Sequence, residues 1–168
     1  MDFELDLNYY IDIDKCVPEI GLKTIAAIVK IKSANNPPWV IHDNTHKTSY
    51  KFASKEQAIE TAENLINKGD NLDLELAQIN SNNLSSLNIK VTKVFEPCIN
   101  LKASAIILKN FYRQAKLIFS DDQKTLFHAI SSYNTGSFYK EFKYASKVWL
   151  AATIVIINIT IVNIIILV

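Results

Sequence analysis

The feature that most constrains this 168-residue chain is its end: Val148 to Val168 carries no charge and is dominated by Ile and Val, interrupted by Thr153, Asn158, Thr160 and Asn163. At the helical rise such a run spans roughly 30 Å, about one hydrocarbon core. A fully buried soluble helix would need apolar cover on every side, and the remaining chain is too small to supply it. The run therefore predicts a transmembrane anchor over 148–168. Lys140, Lys143 and Lys147 precede it and no charge follows, a pattern that favours a domain on the cytoplasmic side.

The other end is the opposite in character. Met1 to Asp14 carries five acidic residues and no Lys or Arg, so it reads as an acidic extension, 1–14, and shows no basic start or apolar run of a secretory signal. Between the ends, residues 15–147 suffice for one domain with a core of its own. With 18 basic and 17 acidic residues the chain is close to neutral, which argues against nucleic acid as a partner.

The periodicities predict mostly helix. Ile20, Leu22, Ile25, Ala26, Ile28 and Val29 follow Pro18 at helical spacing, and Asn35-Asn36-Pro37-Pro38 stops that helix. Trp39–Ile41 and Tyr50–Phe52 are short strand candidates around a turn at Asp43-Asn44-Thr45. Ser54-Lys55-Glu56-Gln57 and Ser120-Asp121-Asp122-Gln123 have the capping-box pattern, and Gly69 suits a helix stop. Leu72–Leu76 alternates like a strand, Asn80–Leu87 suits a short helix, and Pro97 opens a longer one. The predicted class is mainly α of the lysozyme-like α+β kind: a helical domain with a small β element, plus a C-terminal apolar helix.

Three segments carry chemical information together: Lys32-Ser33-Ala34-Asn35-Asn36-Pro37, Leu76-Ala77-Gln78-Ile79-Asn80-Ser81 and Ser132-Tyr133-Asn134-Thr135-Gly136. In this order and at these intervals they resemble the lysozyme-like lytic transglycosylases (SLT domain), in particular the group associated with type IV secretion systems. Gly69-Asp70-Asn71-Leu72-Asp73, Asn82-Asn83-Leu84 and Phe95-Glu96-Pro97-Cys98-Ile99-Asn100-Leu101 add to the resemblance.

The resemblance implies cleavage of the bond between N-acetylmuramic acid and N-acetylglucosamine in peptidoglycan, without water and without a cofactor. One glutamic acid protonates the leaving oxygen. As carboxylate it then takes a proton from the sugar's hydroxymethyl group, closing a 1,6-anhydro ring. One carboxyl suffices, unlike the paired carboxylates of ordinary glycosidases, and it needs a raised pKa. By the same resemblance Ser33 supports the acid, Gln78 and Asn80 line the glycan cleft, Tyr133 reaches toward the acid, and Asn134 faces substrate. Type IV secretion components are implied partners, and the bacterial envelope, on the periplasmic side, is the implied location.

The chain departs from the family pattern in four places. Lys32 stands where the family has its catalytic glutamate, Ala34 replaces a glycine, and Glu75 replaces the glycine three residues before Gln78; the family's Asn-Gly-Tyr is echoed only by Lys143-Tyr144-Ala145. A lysine with an ordinary pKa of about 10.4 is a poor acid at neutral pH. Glu75 is the one candidate for a surrogate acid. An active enzyme, a glycan-binding pseudoenzyme and a decaying copy all remain open at this level. Cys16 and Cys98 match cysteines that pair in the resembling subgroup, with two free buried thiols as the alternative. His42, His46 and His128 show no metal-ligand spacing, and no metal is expected.

Overall fold

In a computed structural model, the described residues are 13, 15–17, 22–33, 39–140 and 142–166, with backbone alone at 22 and 155–166. Residues 1–12 and Asp14 of the acidic extension 1–14, Pro18, the stretch Ala34–Pro38 and the side chains of the apolar run beyond Ile154 lie outside them. The elements in order are α1 (Leu22–Ser33), β1 (Val40–Asp43), β2 (Thr48–Lys51), α2 (Lys55–Asn67), β3 (Leu72–Leu74), β4 (Ile79–Asn80), a 3-10 turn (Ser81–Asn83), α3 (Val91–Val94), α4 (Pro97–Lys116), α5 (Asp122–Thr135) and α6 (Phe142–Ile166). The fold is mainly helical with one small antiparallel sheet, as the periodicities predict.

The chain divides into two compact units, one of Lys32–Ser104 and one of Met1–Ile31 with Ala105–Val168. The first holds the sheet, in the order β2-β1-β3-β4. Its pairing puts Tyr50, Ile41, Leu74 and Ile79 in one row across the four strands. Ile41, Leu74 and Ile79 are buried, and α2, which packs on β1 and β3, closes its core with Ala58 and Ala62. Adjacent residues on a strand point to opposite faces, so the neighbouring row, Ser49, His42, Asp73 and Asn80, falls on the other side of the sheet.

Helix α2 begins at the predicted cap, where the Ser54 hydroxyl accepts from the Gln57 N–H at 3.3 Å. Gly69 follows its last turn with φ +93°, a left-handed conformation that favours glycine. The second capping pattern is shifted by one residue. Asp121, not Ser120, is the cap of α5, its carboxylate accepting from the Lys124 N–H at 2.7 Å. A charged acceptor makes the stronger bond to a helix N-terminus.

In the other unit α5 packs on α6. His128 stacks on Phe119 with ring centroids 4.0 Å apart, and Phe127 meets both Phe142 and Trp149. His128 Nδ1 also lies 2.6 Å from the Phe138 carbonyl oxygen. α5 ends at Gly136 in the left-handed conformation, φ +70°. Residues Phe138–Lys140 form a turn, held by the Ser131 hydroxyl donating to the Lys140 carbonyl, and α6 begins at Phe142. Among the described residues no helix is long and apolar enough to cross a membrane.

Candidate active site

The candidate site in the unit Lys32–Ser104 is built on the end of α1, the polar row of the sheet and the turn between β3 and β4. Lys32 and Ser33 are the last residues of α1; Ser33 is buried and Lys32 half-buried. The Gln78 side-chain N–H donates to the Lys32 carbonyl at 3.1 Å, satisfying one of the carbonyls that a helix end leaves without a partner. Gln78 does this from a left-handed backbone, φ +53°, which costs a non-glycine residue on the order of 1 kcal/mol.

Lys32 and Glu75 face one another electrostatically. Burial lowers the pKa of Lys32, and the charges of Asp73 and Glu75 pull it partly back. Glu75 is only 1 % exposed. Burial pushes its carboxyl from 4.5 up to about 8, against the opposing pull of the Gln78 amide and the Lys32 ammonium. A carboxyl in this state holds its proton at neutral pH, the property a general acid requires. The sequence marks Glu75 as a broken glycine position and a candidate surrogate acid; the burial that raises its pKa is a tertiary property.

The β3–β4 turn that carries Glu75 is fixed by Asn100, a fully buried residue of α4. Its amide oxygen accepts from the Ala77 N–H at 2.9 Å, and its amide nitrogen donates to the carbonyls of Leu74, Glu75 and Val94. Asn100 is missed as a site residue by reasoning from the three motifs, although it lies within the Phe95–Leu101 string. The reason is physical: one side chain stands in for several ladder bonds, and nothing local in the sequence reveals that.

Asn80 is similarly committed. Its amide donates to Asn71 and to Asp73, each at 2.8 Å, and its oxygen accepts from Asn71 at 3.3 Å and from the Asn82 N–H at 3.1 Å. Asn71 in turn accepts from the Asn44 amide at 2.9 Å, and its N–H donates to Thr45 Oγ1. In this structure Asn80 braces the sheet edge.

His42 completes the polar row: Nδ1 lies 2.7 Å from Ser49 Oγ, and Nε2 lies 3.6 Å from Glu75 Oε1. Asp43, His46 and Asp70 bring ligand-type atoms within 4.8 Å of one another. The buried Asp43 carboxylate, however, already accepts from the N–H groups of Thr45 and His46 and faces His46 Nδ1 at 2.9 Å. These bonds account for the cluster as closure of the β1–β2 turn.

In the other unit, Tyr133 and Asn134 lie in the last turn of α5. Tyr144, on α6, is buried. Burial pushes its phenol pKa well above the ordinary value, and proximity to Tyr133 adds to the rise. Cys16 and Cys98 are both disulfide-bonded, so the free-thiol alternative does not hold.

Comparison with known proteins matches residues 10–153 to the family described as "Transglycosylase SLT domain". The chain belongs to that family. Among curated relatives, Protein virB1 of Rhizobium radiobacter is 36% identical over 140 residues, 82% of this chain and 58% of that protein. Protein virB1 of Agrobacterium fabrum is 34% identical over 140 residues, covering 82% and 56%. Type IV secretion system protein virB1 of Brucella abortus is 35% identical over 130 residues, covering 77% and 54%. The chain thus spans little more than half the length of the curated relatives it matches. No solved structure matches.

Proposed function

We propose that this SLT-domain chain acts on peptidoglycan glycan strands in the service of type IV secretion, with Glu75 carrying the proton that the family's glutamate, replaced by Lys32, would have carried. The observation behind this is the buried Glu75 carboxyl, raised to about 8, beside an ammonium at the family's acid position. Glu75 as acid gives its proton to the oxygen leaving between N-acetylmuramic acid and N-acetylglucosamine. As carboxylate it takes the proton of the sugar's hydroxymethyl group while that oxygen closes the 1,6-anhydro ring, so the proton is returned within one turnover. The Lys32 ammonium favours the carboxylate between the two transfers. Gln78 holds the end of α1.

A second reading, glycan binding without cleavage, is favoured by one observation: the Glu75 side chain has no solvent exposure. Digestion of purified cell wall separates the two. Anhydro-muropeptides from the native chain, reduced at least 10²-fold in Glu75→Gln, support the displaced acid. Retention of glycan strands with no product at high enzyme concentration supports binding alone. Lys32→Glu combined with Glu75→Gly restores the family arrangement; cleavage by that variant alone would show that the native chain is a binder on an intact scaffold.

The transglycosylase domain is taken as 15–147, and 148–168 as a membrane anchor on the strength of its uncharged Ile/Val run. Disulfide-bonded cysteines favour the envelope over the cytoplasmic placement suggested by the flanking lysines. Carbonate extraction of cell membranes, comparing the full chain with one ending at 147, tests the anchor.

A further inference from the structure

The polar row of the sheet contains a contact that the family's single-carboxyl chemistry does not use. Three buried polar atoms, His42 Nε2 and both Glu75 carboxyl oxygens, lack a hydrogen bond of ordinary geometry; the Gln78 amide acts on Glu75 from nearby but makes its bond to the Lys32 carbonyl. Two of them face each other, Nε2 lying 3.6 Å from Oε1. Closing that gap to an ordinary hydrogen bond takes a movement of about 0.7 Å. Burial makes such a bond consequential, since unsatisfied groups of this kind each cost roughly 1–3 kcal/mol.

We infer that His42 is the positioning residue for Glu75: its Nε2–H, held in that tautomer by the Ser49 hydroxyl at Nδ1, fixes Oε1 and leaves Oε2 to carry the acidic proton. The role rests on the reading of Glu75 as the acid. Four arguments support it. The cross-strand pairs His42–Ser49 and His42–Asp73 set the imidazole in register on the sheet. Ser49 Oγ, 2.7 Å from Nδ1, has a proton to donate to that nitrogen. The ring is held neutral by burial first, with Asp73 opposing and Lys32 and Lys51 reinforcing. Finally, the groups around Glu75 divide the work: Lys32 from α1 supplies charge, Gln78 from the β3–β4 turn supplies an amide, and His42 from β1 supplies direction.

A donor aimed at the carboxyl favours its ionised form. Loss of the donor therefore raises the Glu75 midpoint. The measurement is a pH titration of the full chain carrying ¹³C-labelled glutamate, with the Glu75 carboxyl resonance assigned by its disappearance in Glu75→Gln. In His42→Leu the midpoint is expected to rise by about one pH unit. In His42→Gln, whose side-chain amide offers a donor in the same region, the rise is less than half of that. Ser49→Ala gives a smaller rise still, because the imidazole remains but its tautomer is no longer set. An unmoved midpoint in His42→Leu, or equal shifts in the Leu and Gln variants, overturns the inference. A downward shift overturns it as well, since Glu75 would then be donating to the imidazole. Should His42→Leu fail to fold, the Gln and Ser49→Ala titrations decide: no rise in Ser49→Ala together with a full-unit rise in His42→Gln refutes the donor role. The titration is read without substrate. Cleavage that survives Glu75→Gln would remove the acid reading while leaving the titration result as it stands.

Discussion

The ionisation of Glu75 has a consequence for stability that is measurable without any substrate. Its carboxyl titrates at about 8 in the folded chain against an ordinary 4.5. Below about pH 4.5 both folded and unfolded chains hold the proton, and the group is neutral in its effect. Above that, the unfolded chain releases the proton and the folded chain keeps it, so stability falls as pH rises, by up to about 1.4 kcal/mol per unit, until the folded group ionises near 8. The whole window is worth roughly 5 kcal/mol at most. Glu75→Gln removes the titration and keeps the shape. Its unfolding free energy relative to the native chain should therefore gain by about 1 kcal/mol at pH 5 and about 4 kcal/mol at pH 8, a change near 3 kcal/mol between them. Urea unfolding of both chains at pH 5, 6.5 and 8, with the disulfide intact, measures this. Any fixed cost of seating the amide cancels in the slope. A difference between the two chains that does not vary with pH would refute the reasoning: the Glu75 carboxyl would then be ionised and solvated like an ordinary one.

Two further outcomes are expected. Asn100→Ala should lower stability by roughly 3–5 kcal/mol, because one substitution removes the buried acceptor of the Ala77 N–H and the donors to three carbonyls; calorimetry or urea unfolding at one pH suffices, and a loss under 1 kcal/mol would mean the turn is held by other means. Asp121→Ala should cost about 1 kcal/mol through loss of the α5 cap, whereas Ser120→Ala should cost little; the reverse order would restore the predicted capping register.

Much of the architecture is legible in the sequence because it is written locally. The Ser54 cap and the helix-stopping Gly69 need only their neighbours, and both appear where predicted. Strand positions were less sharp: Trp39–Ile41 became Val40–Asp43, and Tyr50–Phe52 became Thr48–Lys51. In strands this short, cross-strand pairing sets the boundaries, and alternation within one segment cannot. Lys32 at the acid position is plain in the sequence, since it is a matter of identity. The state of Glu75 is not plain, because its pKa depends on burial by residues distant along the chain. His42 was equally silent, a lone histidine whose two partners, Ser49 and Glu75, lie on different elements.

The row Ser49, His42, Asp73 and Asn80 draws one residue from each of the four strands. Because successive strand residues alternate faces, a slip of one position in a strand would turn that strand's member of the polar row to the other face and bring its neighbour up in its place. A single-residue insertion or deletion at the β1–β2 turn would therefore take Ser49 from beside His42 while leaving His42, Asp73 and Asn80 in their pairing. The spacing between the strands is thus as much a part of this site's specification as the residues themselves, and tolerance to length changes at that turn is a direct readout of whether the surface is under use.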